Sequence, residues 1–203
     1  MVLATLHGFH EAVPAYGFDT LGRTIESLKP DVLCLEVQPG DLQARGPEKV
    51  KVEYPRVVYP LIDKHHYRVY AMEPAEPVFS RIVKPYVASA RAFQDNQPAQ
   101  AKAFNAYAEH GLEALKTYWT SPRRVNDATT DAVFAAKHAL QTAMIGAGER
   151  AGWEAWNEHF REVILLAARE NPGKRIVVLV GVEHAYWLRR NLGDLAGIEL
   201  GNL

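Results

Sequence analysis

His7, Glu36, Glu73, Glu183 and His184 are the side chains whose types and positions could act together, with His10 and Glu11 close behind. Each sits at the end of a short apolar run. Val2 to Leu6 leads into His7-Gly8-Phe9-His10-Glu11, and Asp31 to Val37 carries Glu36 near its end. Tyr67 to Met72 leads into Glu73, and Arg175 to Val182 leads into Glu183-His184. Imidazole nitrogen with carboxylate oxygen is the ligand set of Zn, Mn, Co or Fe at hydrolytic sites. A metal so held lowers the pKa of bound water toward neutrality, to about 7 for zinc. The same groups also work without metal, a histidine taking a proton from water while carboxylates orient it. Residue type alone does not separate the two. Any one of these residues by itself is an ordinary solvated polar group at a strand end; four such ends together make a candidate site.

The elements that must position them follow from the pattern. The four apolar runs read as strands, and the second and fourth show little alternation, as expected of strands covered on both faces. Phe18 to Leu28 carries Leu21, Ile25 and Leu28 at helical spacing and stops at Lys29-Pro30; Val57, Leu61 and Ile62 suggest a second helix running into His65 and His66. Alternating strands and helices imply right-handed crossovers and a parallel sheet, with a mixed edge left open. Ligands in such sheets bind beyond the carboxyl ends of the strands. From Pro77 to Asn171 there is no strand pattern. Apolar stripes recur at three and four through Ala101–Trp119, Val133–Met144 and Trp153–Ala167, and each marks a buried helix face. Ser121-Pro122 reads as a cap followed by a first-turn proline, and Asn171-Pro172-Gly173 as a stop. The expectation is one α/β domain over residues 1–203, with flanking helices and residues 77–171 inserted before the last main strand as a helical cap. Gln38 to Pro55 reads as a long loop, Ala185 to Leu192 as a helix, and Gly197 to Leu200 as a further strand.

The chain has 203 residues, 48% of them hydrophobic and 23% charged, enough to bury a full core, which excludes intrinsic disorder. A formal charge of -1 lacks the basic surplus that nucleic-acid phosphates or an acidic membrane demand. One cysteine cannot close an internal disulfide or supply a zinc ribbon. With no apolar run near bilayer length, the default compartment is the cytoplasm.

Other motifs fare worse. Gly146-Ala147-Gly148 follows a helix, where a dinucleotide loop would follow a strand, so it reads as a helix–helix turn. Walker A and Gly-x-Ser-x-Gly sequences are absent, and no nucleotide cofactor is indicated. Cys34 reads as a packed thiol. His65 and His66 belong at the opposite sheet edge, and His110, His138 and His159 read as partly exposed helix residues. Arg189 follows His184 by one to two turns and is a candidate for holding an anionic substrate group. Glu183, beside His184, either orients it or points away.

Ala4-Thr5-Leu6-His7, Leu35-Glu36 and Val180-Gly181-Val182-Glu183-His184 together resemble the TraB/TIKI superfamily, a group that takes in erythromycin-esterase-like and ChaN-like proteins. Its pattern is Gly-x-x-His at each end of the domain with a carboxylate on the next strand. Gly181 to His184 fits, whereas Ala4 stands where the first motif has glycine. The resemblance covers about a third of the chain and implies His7, Glu36 and His184 as metal ligands or catalytic residues, with Mn, Co or Zn as the metal. The expected function is hydrolysis of an ester or amide bond of a small molecule or peptide. It would occur at the His7, Glu36, Glu73, His184 edge, metal-assisted or with His7 as general base. The alternatives are a non-catalytic protein binding a small ligand, metal or haem-like group, or a regulatory protein docking a partner through its cap. A homo-oligomer stays open.

Overall fold

The computed structural model describes every residue except Glu48, Asp194, Ala196 and Asn202. Strands β1 (Val2–Thr5), β2 (Val32–Leu35), β3 (Arg68–Ala71) and β4 (Ile176–Gly181) pair in parallel, and among the described residues they form one sheet in the order β1-β4-β2-β3. Register sets Thr5 opposite Gly181 and Leu35 opposite Leu179, so the end of β4 emerges between those of β1 and β2. β2 is buried along its whole length and β4 along all but its first residue, as their runs without polar residues require. β1 is an edge strand, but side chains cover its free edge: Asn126 Oδ1 accepts from the Ala4 amide at 2.7 Å, and Tyr16 donates to the Ala4 carbonyl at 3.0 Å.

α1 (Phe18–Ser27) buries Leu21 and Ile25. The expected loop from Gln38 to Pro55 is partly helical. It contains α2 (Pro39–Ala44), and its end enters a π-turn at Tyr54–Val58 that runs directly into α3 (Tyr59–His65). Proline and glycine break the sequence period here, while burial of Tyr54 and Val58 anchors the backbone. The insertion holds α4 (Val78–Asn96), α5 (Pro98–Tyr118), α6 (Pro122–Val125), α7 (Ala128–Ile145) and α8 (Ala147–Glu170). Ser121 caps α6 as expected, and Asp127 caps α7 by accepting from the amides of Thr129 and Thr130. Gly146 turns α7 into α8 at φ 102°, a conformation open to glycine.

The insertion is more than a cap. Phe160, Ile164 and Ala167 of α8 are buried in the same core as β1, β2 and β4, so α8 also covers the sheet. Fully burying a side chain the size of Phe160 stabilises by about 1.5–3 kcal/mol. α9 (Val182–Leu192) begins directly at the end of β4. Gly197 to Leu200, expected as a strand, is irregular. No helix among the described residues is long and apolar enough to cross a membrane.

Candidate active site

The carboxyl ends of β1, β2 and β4 bring three of the expected residues to one place. His7, Glu36 and His184 all line a cavity of about 600 Å³, whose other walls come from α4, α5, α7 and α8. The chain leaves β1 through Leu6 and turns at His7, which has a left-handed backbone with φ 50°. That conformation is unfavourable for a residue with a Cβ and is sustained by what surrounds it. Ala4 itself lies in regular strand, paired with Val180, so its lack of conformational freedom is harmless.

His7 Nδ1–H donates to Glu53 Oε1 at 2.8 Å, and Nε2 faces Glu36 Oε1 at 3.8 Å. Glu36 is fixed from two sides. Its Oε2 accepts from the Gly181 amide at 2.5 Å, and its own amide donates to Tyr54 Oη at 2.9 Å. An added Cβ at Gly181 would lie 2.5 Å from His7 Nε2. Gly181 has φ -54° and ψ 141°, open to any residue. The glycine therefore makes room for the imidazole, and its backbone conformation does not demand a glycine.

Lys51 completes the cluster. Its Nζ donates to the Glu36 carbonyl at 2.8 Å and to Glu73 Oε1 at 2.6 Å, and lies 3.3 Å from Glu36 Oε1. Burial disfavours the carboxylate of Glu36, but Lys51, His7 and His184 outweigh it and hold its pKa well below the usual range. Burial likewise disfavours imidazolium at His7, and the flanking Glu36 and Glu53 overcome it, raising the pKa to about 10. His7 is therefore a cation at neutral pH. A folded pKa above the unfolded value stabilises fully below about pH 6.5, and that stability is lost as pH rises through about 10. Denaturant titrations of the wild type and His7→Gln are accordingly expected to converge between those limits, with the wild type losing stability faster on the alkaline side.

His184 is held in the opposite state. Its Nδ1–H donates to Asn157 Oδ1 at 2.9 Å, and Asn157 is oriented by its own Nδ2 donating to the Trp153 carbonyl at 2.8 Å. This leaves Nε2 as the lone-pair nitrogen. The ring stacks on Trp153 at 4.5 Å. Burial lowers its pKa to about 4 against the partial opposition of Glu36 and Glu183, so it is neutral. Behind Trp153, His138 stacks at 3.8 Å, and its Nε2 bonds Glu183 Oε2 at 3.1 Å. Lys137 Nζ donates to the same oxygen at 2.8 Å.

Most of the other expected residues lie elsewhere. Glu73 is buried but does not line the cavity, and it acts on the site through Lys51. His10 is a structural residue: its Nε2 accepts from the Leu6 amide at 3.0 Å and its Nδ1–H donates to the Tyr16 carbonyl at 2.6 Å, bracing the turn that aims His7. Glu11 is exposed and paired with Arg56 at 2.5 Å. Arg189 is committed to Asp131 at 2.5 Å and to Asn126 Oδ1 at 2.7 Å, so it holds α9 to the insertion and does not line the cavity. Glu183 does reach the cavity. His138 is buried, contrary to the exposed position expected from its helix. Cys34 is the packed thiol expected, its pKa pushed up to about 12 by burial.

Sequence reasoning missed Lys51, Glu53, Asn157 and Lys137. Asn157 left a trace, a polar residue on the apolar stripe between Trp153 and Phe160. Lys51 and Glu53 left none, because they lie in the aperiodic stretch read as a loop.

The donor set does not fit a divalent ion. Both nitrogens of His7 face carboxylates, and the ammonium of Lys51 stands where a cation on Glu36 Oε1 would have to sit. The positive charge that a metal would bring to these carboxylates comes from the chain itself. Among the described residues no group of three His, Cys, Asp or Glu side chains is arranged to hold a metal. In comparisons with known proteins, no family model, no curated protein and no solved structure matches this chain.

Proposed function

We propose that the protein hydrolyses an ester or amide bond by metal-free acid–base catalysis, with His184 as general base and His7 as general acid. The observation that carries this reading is two histidines at one cavity in opposite surroundings: His7 stands between the carboxylates of Glu53 and Glu36, which raise its pKa to about 10, and His184 is buried against Trp153, which lowers its pKa to about 4. Environments that push two titratable groups apart are the signature of an acid–base pair. The nucleophile is a water bridging the 3.8 Å separation of His7 Nε2 and Glu36 Oε1. His184 Nε2 takes a proton as this water adds to the substrate carbonyl, and Glu36 and Glu183 stabilise the imidazolium that forms. His7 donates its proton to the departing alkoxide or amide nitrogen. Solvent then returns the proton from His184 to His7, leaving acid plus alcohol or amine. Glu53 holds the His7 ring as the carboxylate of a catalytic triad holds its histidine.

The test is turnover of p-nitrophenyl butyrate and the matching anilide by protein dialysed exhaustively against chelator. Turnover is expected to persist, with kcat/KM rising as pH passes about 4 and falling as it passes about 10. Loss on chelation with recovery on adding Mn, Co or Zn would instead restore the metal reading that the TraB/TIKI resemblance implies. Ligand binding with no turnover of any ester or amide would make this a non-catalytic binding protein.

A further inference from the structure

The cavity walls are largely aromatic, with Tyr86, Phe104, Phe134, Trp153 and Trp156 contributed by four helices of the insertion. Apart from Glu109, the charged side chains on its wall are each paired within the chain. His7 is satisfied by Glu53 at 2.8 Å and faces Glu36 at 3.8 Å, and Glu36 also has Lys51 at 3.3 Å. Also on the wall, Lys137 and Glu183 neutralise each other at 2.8 Å. Exposed Glu109 stands at the mouth. Past Glu109, a substrate charge brought inside would lose its hydration and find the opposite charges of the inner wall already engaged, a cost that aromatic contacts do not offset.

We infer that the cavity selects an uncharged substrate with an aromatic or similarly apolar body, and that the Lys137–Glu183 pair is the specificity determinant that rejects both signs of charge. The inference deepens the hydrolase reading and rests on it only for turnover, because the selection itself is a property of binding. Lys137 and Glu183 lie on different elements, α7 and α9, and meet at the cavity wall. Either one alone would present a charge of one sign to the bound molecule. Together they present a dipole with no net charge.

Three molecules of one skeleton test this without a bond to cleave: phenylbutanol, phenylbutyrate and phenylbutylamine. Binding is read from the fluorescence of Trp153 and Trp156, both on the cavity wall. The wild type is expected to bind the alcohol at least about tenfold more tightly than either ion. Glu183→Gln leaves Lys137 without its partner and is expected to raise affinity for phenylbutyrate. Lys137→Met leaves Glu183 facing the cavity and is expected to raise affinity for phenylbutylamine. The double variant Lys137→Gln with Glu183→Gln keeps the wall neutral and is expected to return the wild-type ranking, even where a single variant folds poorly. A wild type that prefers either ion, or variants that leave the ranking unchanged, would overturn the inference. The expected ranking with no ester or amide turnover would sink the hydrolase reading and leave the selectivity standing.

Discussion

His184→Ala is expected to lower kcat/KM by roughly 10²–10⁴, the usual contribution of a general acid or base. The substitution has a structural cost as well. His184 is buried against Trp153 and Phe160, and its loss leaves Asn157 Oδ1 without a donor, a penalty of about 1–3 kcal/mol. Activity must therefore be measured per folded molecule, well below the melting transition. Asn157→Leu separates the two effects. It keeps the ring but removes the acceptor that fixes Nδ1–H, so kcat should fall while KM stays near its wild-type value, because the base loses its tautomer and the walls are untouched. A His184→Ala protein that melts lower yet turns over normally would reduce His184 to a packing residue and remove the base from the mechanism.

Gly181→Ala is expected to cost about 100-fold in kcat/KM, the scale of a displacement of about 1 Å in a reacting group. The added methyl would lie 2.5 Å from His7 Nε2 and 3.2 Å from Glu36 Oε2. At least one of those side chains must move. Backbone strain contributes nothing, since φ -54° and ψ 141° suit alanine. His7 is already turned through a left-handed backbone and tied to Glu53, so its ring yields by leaving Glu36. That movement weakens one of the two carboxylates that hold it protonated, and the His7 pKa should fall from about 10 toward the ordinary 6.5. Titration of the ring resonance by NMR reads this directly, and the alkaline limb of the activity profile should move down with it. An alanine variant with wild-type activity and an unshifted His7 would show that Gly181 has no part in positioning the pair.

The strands, most of the helices and three residues of the candidate site were legible in the amino-acid sequence. Unbroken Val/Leu/Ile runs encode buried parallel strands, and apolar residues at three and four encode helix faces. Both signals depend only on neighbours along the chain. The fold class then places strand ends at one edge, which is why His7, Glu36 and His184 could be singled out. Tertiary structure alone decided how they combine. The order β1-β4-β2-β3 threads β4 between strands that come much earlier in the chain, and so sets the Gly181 amide on Glu36 across 145 residues. Lys51 and Glu53 arrive from a stretch with no periodicity, held there by the buried Tyr54 that follows them. Their arrival puts a second carboxylate on His7 and an ammonium beside Glu36. Protonation state depends on burial and on charges distant in sequence, so two histidines with similar motifs end on opposite sides of neutrality. No pattern of residue types along the chain carries that information, because the carboxylates that charge His7 and the walls that keep His184 neutral meet only when the domain closes.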